Sequence, residues 1–179
     1  MKEMIRIRMN EKRKEALKQA LKMEEDGKAY YEQARDKTES EMGKKIFESL
    51  IRSEEGHIQK IKELYSTVEK TCEWPKEMPI RENKAVTNIF TEALEGLKEK
   101  VKADTDDIEA LKMAVDLERE GKKYYELRAE ATDNPCEKKF YYLLAHEEGE
   151  HFVNLLETIQ YLEDPEAYFH QMEITSGFH

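Results

Sequence analysis

The chain has 179 residues, of which 39% are charged and 39% hydrophobic, with only 7 Gly and 4 Pro. This length suffices for one well-filled domain without disulfide bonds, and the scarcity of Gly and Pro favours long amphipathic helices over a turn-rich β fold. The formal net charge of −10 disfavours nucleic acid and anionic membranes as partners, because both call for a basic surface. The sequence shows neither a long apolar run nor a leader pattern, so we expect a soluble, cytoplasmic protein.

The first half of the chain predicts a pair of helices. Asn10 is a candidate N-cap for a helix that runs to about Asp36. Thr38, followed by Glu41, resembles a capping box and would open a second long helix. The two helices would form one hairpin.

A connection follows the first hairpin. It contains Trp74, Pro75 and Pro79, which break the helical periodicity. A shorter helix is predicted from near Thr87 to Lys102. Cys72 and the distant Cys136 lie outside any Cys-x-x-Cys pattern, so neither a thiolate metal site nor a disulfide is predicted.

The second half again predicts a helical hairpin. Asp104 or Thr105 would cap a third long helix that ends near Ala131. Asn134 marks the start of the fourth, because the following Pro135 is favoured at the first position of a helix. A single domain over residues 1–179 results. Its parts are repeat 1 at about 10–69, a crossover at about 70–103, repeat 2 at about 104–164 and a tail at 165–179, in which one more helical turn is predicted from Glu166 to His170.

The two halves repeat each other at an offset of 94 residues without a gap. Gly27 aligns with Gly121, and Tyr30 and Tyr31 align with Tyr124 and Tyr125. A repeat in fixed register indicates that one helical hairpin packs against a copy of itself. The sequence therefore predicts an all-α four-helix bundle with pseudo-twofold symmetry.

Two matching signatures in this repeat carry the candidate chemistry. In each, a second Glu follows the first by 30 positions and a His follows that Glu by three. The six residues are Glu24, Glu54, His57, Glu118, Glu148 and His151. A lone Glu-x-x-His match is close to the chance level in so acidic a chain, and solvated surface charges are the alternative reading.

The position of these residues on apolar stripes favours a metal site over solvated charge. Residues at 3 and 4 spacings on each helix predict one inward-facing stripe that the polar residues interrupt. The stripes are Leu17, Ala20, Glu24, Gly27 and Tyr31; Phe47, Leu50, Glu54, His57, Ile61 and Leu64; Leu111, Ala114, Glu118, Gly121 and Tyr125; and Tyr141, Leu144, Glu148, His151 and Leu155. Four carboxylates in a low-dielectric interior need protons or cations, and two divalent ions would balance them. The oxygen and nitrogen donors suit Fe or Mn, with Zn possible.

The neighbours of these six residues give weaker expectations. Gly27 and Gly121 lie one turn after a candidate ligand, which suggests space for metal-bound oxygen, with close helix packing as the alternative. Six clustered tyrosines are expected to pack in the core and to hydrogen-bond ligand carboxylates rather than to carry redox chemistry. They are Tyr30, Tyr31, Tyr124, Tyr125, Tyr141 and Tyr142. Five further charged or titratable residues are predicted to lie at the surface: Glu25, Glu55, His146, Glu147 and Glu150.

At these residues the chain resembles the rubrerythrin branch of the ferritin-like superfamily. The shared pattern is Glu-x-x-Gly-x-x-Tyr-Tyr on one helix and Glu-x-x-His on the next, twice over, from Glu24 to His57 and from Glu118 to His151. The resemblance implies a ferritin-like bundle with a dinuclear iron site. Rubrerythrins proper also carry a Cys-x-x-Cys rubredoxin module and an extra Glu where this chain has Gly121. The chain thus looks like the smaller, rubredoxin-free relatives, and its electrons would come from an external donor protein.

The resemblance leaves several functions open. The leading hypothesis is a di-iron oxidoreductase that reduces H2O2 or O2, with no catalytic residue assigned beyond the six ligands. The alternatives are a ferroxidase or iron-handling protein, a hydroxylase of a membrane-borne substrate, which lacks support because no helix with a basic face is evident, and a metal-stabilised scaffold that binds another protein. A homodimer is expected, with a crossover that could be swapped between protomers.

Overall fold

The structure, a computed structural model, describes residues 2–71, 73–76, 105–168 and 170. Over these residues the long elements are four helices: α1 (Lys2–Lys37), α2 (Glu41–Thr71), α3 (Thr105–Glu130) and α4 (Pro135–Glu163). α1 packs mainly on α2 and α3 mainly on α4, and the two hairpins meet to form a bundle. The predicted all-α, ferritin-like fold is confirmed. The short helix predicted from Thr87 to Lys102 lies outside the described residues.

The predicted start of the first helix is wrong. α1 begins at Lys2, and Asn10 is a buried residue inside it rather than its N-cap. The eight residues before Asn10 contain no Gly or Pro, so nothing in them ends a helix, and Asn is a weak helix former that a helix interior still tolerates. The predicted end near Asp36 agrees with the observed end at Lys37.

The predicted start of α2 is wrong as well, because this helix begins two residues later than predicted. The capping residue is Ser40, whose Oγ accepts a hydrogen bond from the backbone N–H of Gly43 at 3.1 Å. Thr38 lies one step outside, where its Oγ1 accepts from the backbone N–H of Ser40 at 3.1 Å. Both hydroxyls satisfy backbone donors at the helix entrance, but Thr38 and Glu41 do not form the expected capping box.

The fourth helix begins as predicted and repeats the capping chemistry seen at the start of α2. The side chain of Asn134 accepts from the backbone N–H groups of Cys136 and Glu137, and Pro135 is the first residue of α4. Thr132 Oγ1 accepts from the backbone N–H of Asn134 at 3.2 Å. Asn134 and Thr132 align with Ser40 and Thr38 at the 94-residue offset, so the internal repeat extends to the caps.

The end of α4 follows the sequence closely. Asp164 caps the helix one residue before Pro165, and residues 165–168 add one further helical turn. The backbone N–H of Tyr168 donates to the carbonyl of Asp164 at 3.0 Å. Trp74, in the connection after α2, is buried against Phe140, so this part of the connection covers an end of the bundle.

The apolar core is divided in two by a polar layer. One cluster contains Phe47 of α2 and Leu155 of α4, and the other contains Leu17 of α1 and Leu144 of α4. Each cluster takes side chains from all four helices, and the polar residues of the stripes lie between them. Burial of these clusters fixes the rotation of each helix about its axis, and that rotation aims one Glu per helix inward. Within the described part of the chain, no helix has the combination of length and apolarity needed to cross a membrane.

Candidate metal centre

All six residues of the two signatures meet in this polar layer. Each of them is buried, and the side chains of both histidines are fully shielded from solvent. α1 and α3 each supply one Glu, while α2 and α4 each supply a Glu and a His one turn apart, so that the Glu and His share a helical face. The layer contains Glu24, Glu54, His57, Glu118, Glu148 and His151.

The six residues divide into two overlapping sets of possible ligands. In each set the ligand atoms of the four residues lie within 4.8 Å of one another, and Glu54 and Glu148 belong to both. The first set adds Glu24 and His57, and the second adds Glu118 and His151. Oxygen donors with one imidazole nitrogen in each set fit Fe or Mn, as the sequence suggested. The buried acidic and histidine groups therefore fit a metal site.

Each histidine faces the neighbouring carboxylates with its Nδ1 atom. Nδ1 of His57 lies 3.0 Å from Glu24 Oε2 and 3.3 Å from Glu148 Oε1. Nδ1 of His151 lies 3.2 Å from Glu118 Oε2 and 3.2 Å from Glu148 Oε2. The two rings stack at a centroid distance of 6.0 Å. Nδ1 is thus the imidazole atom that each half presents to the carboxylates.

Two tyrosines hydrogen-bond the carboxylates of Glu24 and Glu118 across the pseudo-twofold axis. The hydroxyl of Tyr31 donates to Glu118 Oε1 at 2.7 Å, and that of Tyr125 donates to Glu24 Oε1. Each tyrosine therefore orients a carboxylate of the opposite repeat, as expected for hydroxyls near ligand carboxylates. The adjacent Tyr30 hydroxyl instead donates to the backbone carbonyl of Ala110 at 2.8 Å.

The remaining tyrosines of the predicted cluster do not hydrogen-bond the ligand carboxylates in the described structure, and two of them pack between helices. The hydroxyl of Tyr124 donates to the backbone carbonyl of Ala16 at 2.8 Å, the symmetry-related counterpart of the Tyr30 contact. Tyr141 stacks on Tyr125 with ring centroids 6.2 Å apart, and Tyr142 is exposed. The expected hydrogen bonds to ligand carboxylates are therefore made by one tyrosine in each repeat.

The carboxylates are strongly perturbed by burial. Burial raises the pKa of Glu118 to about 8, although the charge of His151 opposes the rise. Burial, together with the neighbouring Glu24 and Glu148, raises the pKa of Glu54 well above its usual value. Like charges held close together in a low-dielectric interior favour the protonated form. These acids therefore share protons when no cation is bound.

The histidines respond in the opposite sense. Burial lowers their pKa values, but the carboxylates outweigh it: Glu118 and Glu148 raise the pKa of His151 to about 10, and Glu24 and Glu148 raise that of His57 well above its usual range. Burial likewise acts to raise the pKa of Glu148, yet His57 holds it well below its usual value. Protons on the imidazoles thus supply the positive charge in the metal-free cluster, and a bound cation would displace them.

Glu147 is a residue of the site that the sequence prediction missed. It was predicted to be solvated, but it is buried, and its Oε2 lies 2.6 Å from Nε2 of His57. Lys60 holds the other side of this carboxylate, with Nζ 3.1 Å from Oε1 and 3.0 Å from Oε2. The one available signal was the position of Glu147 directly before Glu148. The predicted exposure is confirmed for Glu25, Glu55 and His146, whereas Glu150 is half-buried.

A cavity of about 410 Å³ lies between α1 and α3 and reaches the metal centre. Its wall includes the carboxylates of Glu24, Glu54, Glu118 and Glu148. Apolar side chains and the two glycines make up much of the rest: Met23, Gly27, Tyr30, Met113, Leu117 and Gly121. A volume of this size is typical of small-molecule sites.

The two glycines keep this cavity open. A Cβ atom on Gly27 would come no closer than 4.0 Å to another side chain, and one on Gly121 would lie 3.6 Å from Cγ of Glu148. Both are ordinary contacts, so close packing of helices does not require glycine at either position. The absence of a side chain at these positions leaves room beside the carboxylates, in agreement with the space hypothesis.

Comparison with known proteins gives one match. The model of the Rubrerythrin family matches residues 15–107, just over half of the chain. The matched segment contains Glu24, Glu54 and His57 and ends before Glu118. The second set of candidate ligands therefore depends on the internal repeat and on its place in the bundle. No curated protein and no solved structure matches the chain significantly.

Proposed function

The chain belongs to the rubrerythrin family, and on that basis we propose that it is a di-iron oxidoreductase that reduces hydrogen peroxide or dioxygen. The observation that carries this proposal is the pair of four-residue ligand sets that share Glu54 and Glu148 beside a cavity. Shared carboxylates between two sets are what a dinuclear centre in a helical bundle requires.

In this proposal two ions occupy the polar layer. Glu24 and His57 would be the terminal ligands of the first ion, and Glu118 and His151 those of the second, while Glu54 and Glu148 would be shared between the two ions. Two divalent ions balance the four carboxylates, which offsets the cost of burying like charges. Iron is the metal that the family implies, with Mn or Zn as alternatives.

Two reduced iron ions would supply the two electrons that convert one H2O2 and two protons to two waters. The protein contributes the surroundings of that reaction. Tyr31 and Tyr125 orient the terminal carboxylates, and the cavity admits a small oxidant while the apolar clusters keep the layer otherwise dry. We propose that an external donor protein supplies the electrons.

Iron handling is the second candidate, and the acidic wall of the cavity favours it. Asp26, Asp116 and Glu120 line the cavity together with the four ligand carboxylates. Acidic groups that lead to a buried site attract cations and raise the rate at which they enter. A ferroxidase that oxidises Fe(II) and passes it on would use the same route.

Metal analysis followed by rapid-mixing oxidation separates these functions. Protein loaded with two iron ions per chain, reduced without oxygen, is mixed with H2O2 or with O2 and its absorbance is followed. Fast reoxidation by H2O2, with repeated turnover when an electron donor is supplied, supports the oxidoreductase. A reaction confined to O2, with added Fe(II) consumed, supports iron handling. Fewer than two ions per chain would overturn the dinuclear proposal.

The oligomeric state gives a further discrimination. We propose a homodimer, in which the crossover could be exchanged between protomers. Iron storage requires a hollow shell of many subunits, so a dimer on a sizing column would count against storage and leave the oxidoreductase in place. A large closed assembly would have the reverse meaning.

A further inference from the structure

The two histidines of the centre have different partners on the atom that faces away from the carboxylates. Nε2 of His57 lies 2.6 Å from Oε2 of Glu147, whose carboxylate is also held by Lys60. Nε2 of His151 is buried and, within the part of the chain that the structure describes, has no hydrogen-bond partner. The two halves thus match in their candidate ligands and differ behind one of them.

The internal repeat identifies the residue responsible. At the 94-residue offset, Glu147 corresponds to Ser53 and Lys60 to Asn154. Ser53 is buried, and its Oγ is also without a hydrogen-bond partner among the described residues. The second repeat therefore places Glu147 behind the histidine of the first, whereas the short neutral Ser53 occupies the corresponding position in the first repeat.

This difference acts on the ligand atom of His57. A carboxylate that accepts the Nε2–H proton leaves Nδ1, which faces Glu24 and Glu148, as the nitrogen whose lone pair would bind a cation. The same hydrogen bond fixes the ring orientation and increases the electron density on Nδ1. His151 receives neither effect, because its Nε2 has no acceptor among the residues that the structure describes.

We propose that Glu147 is a positioning residue that makes the two metal positions unequal. The ion held by Glu24 and His57 is bound tightly, and the ion held by Glu118 and His151 is bound weakly and is lost first. Loss of such a hydrogen-bond partner lowers metal affinity by about 10- to 100-fold in comparable sites, so we expect the two affinities to differ by about that factor. The inference rests on the two-ion arrangement proposed above and adds an order of binding to it.

Titration of the metal-free full chain with Co(II), followed by visible absorption, tests this order. The wild-type chain is expected to bind two ions in two steps separated by about 10- to 100-fold in affinity. Glu147→Gln keeps the size of the side chain but removes the carboxylate, and should weaken the first step toward the second while the second stays unchanged. Ser53→Glu supplies the missing acceptor and should tighten the second step.

Glu150→Gln is the matched control. It removes the same charge from the same helix, but Glu150 is half-buried and pairs with the exposed His146 at 3.5 Å. Neither step should change in this variant. Thermal melting of each metal-free variant shows whether it is folded, and Ser53→Glu provides an independent arm if Glu147→Gln does not fold.

Two results would overturn the inference. One is a pair of equal steps in the wild-type chain, and the other is an equal weakening of both steps by Glu147→Gln, which would mean a general effect on charge or stability. Either result leaves the proposed oxidoreductase intact, because two ions would still bind. Absence of peroxide reduction with two unequal steps would instead contradict the proposed function and leave this inference in place.

Discussion

The two sides of the buried polar layer treat similar ligands differently. On the α1–α3 side, Glu24 and Glu118 are each followed one turn later by a glycine, and a cavity of about 410 Å³ reaches them. On the α2–α4 side, Glu54 and Glu148 are each followed one turn later by a fully buried histidine, and the rings stack on each other. One side leaves room beside the ligands, while the other fills that room with further ligands.

One side of the polar layer therefore gives access to the carboxylates, and the other side positions the histidines. The glycine side can admit a small molecule without displacing any candidate ligand, because the space already exists. The histidine side is closed, and the pair formed by Glu147 and Lys60 lies behind one ring. A symmetric repeat of Glu residues thus gives a centre that is open in one direction. The following variants test this division between an open glycine side and a closed histidine side.

Removal of the shared carboxylates should abolish the centre. In Glu54→Ala with Glu148→Ala, both ligand sets lose two of their four members, so metal content should fall from two ions per chain to nearly none. Elemental analysis of the purified protein measures this. Glu55→Ala, an exposed residue of α2, is the control and should retain full metal. A double variant that still held two ions would show that the bridging assignment is wrong.

Metal removal should make stability fall as the pH rises. In the metal-free protein the pKa of Glu118 is about 8 and that of His151 about 10, both above their usual values of 4.5 and 6.5. A group whose pKa is raised on folding contributes its full stability below the unfolded value and loses it as the pH approaches the folded value. Between pH 6 and pH 9 both contributions decline, so Tm should drop by about 5 °C or more.

The metal-loaded protein is the comparison for that experiment. Its ligands are already deprotonated at pH 6, so its Tm should change much less between pH 6 and pH 9. Thermal melts followed by circular dichroism at the two pH values give both slopes. Equal slopes with and without metal would mean that the raised pKa values do not belong to the metal-binding cluster.

Filling the cavity should slow reoxidation of the centre but leave the metal bound. Gly27→Leu places a side chain in open space, since even a Cβ there comes no closer than 4.0 Å to its nearest neighbour. Reoxidation of the reduced centre by H2O2 should slow on the order of tenfold, which is about 1.4 kcal/mol in the barrier. Stopped-flow absorption measures the rate, and elemental analysis confirms the two ions.

Gly56→Leu is the matched control for the cavity. Gly56 is also a helical glycine, and a Cβ atom there would meet no side chain of the described residues within 4 Å. Unlike Gly27, it does not line the cavity. Its reoxidation rate should equal that of the wild-type chain. If both leucine variants slowed the reaction equally, the cavity would not be the route of the oxidant.

The smallest effect is expected from the tyrosine that orients a terminal carboxylate. Tyr31→Phe removes the hydrogen bond to Glu118 Oε1 and should lower the free energy of unfolding by about 1–2 kcal/mol while metal content stays unchanged. Urea denaturation measures this change. Tyr142→Phe removes an exposed hydroxyl and should have no effect. A loss of metal in Tyr31→Phe would give the hydroxyl a larger role than orientation.

Helical periodicity accounts for much of what could be predicted. Residues three and four apart share one face of a helix, so the stripes through Glu54 and His57 and through Glu148 and His151 indicated which side chains would be buried together. Asn134 before Pro135 marked a helix start because capping is a local interaction. The start of α1 was missed because Asn10 resembles a cap although nothing before it ends the helix. The cap at Ser40 was missed because several short polar residues near that helix end compete and the sequence does not rank them.

The sequence by itself determined the fold, the repeat and the six buried polar residues, because these follow from spacing along single helices. Tertiary structure alone decided what faces each of them. Periodicity specifies the face of a helix but not the neighbour opposite it, so Glu147 next to a predicted ligand was indistinguishable from a solvated Glu until α2 and α4 were packed. The same packing left Nε2 of His151 without a hydrogen-bond partner among the described residues and opened the cavity beside Gly27 and Gly121.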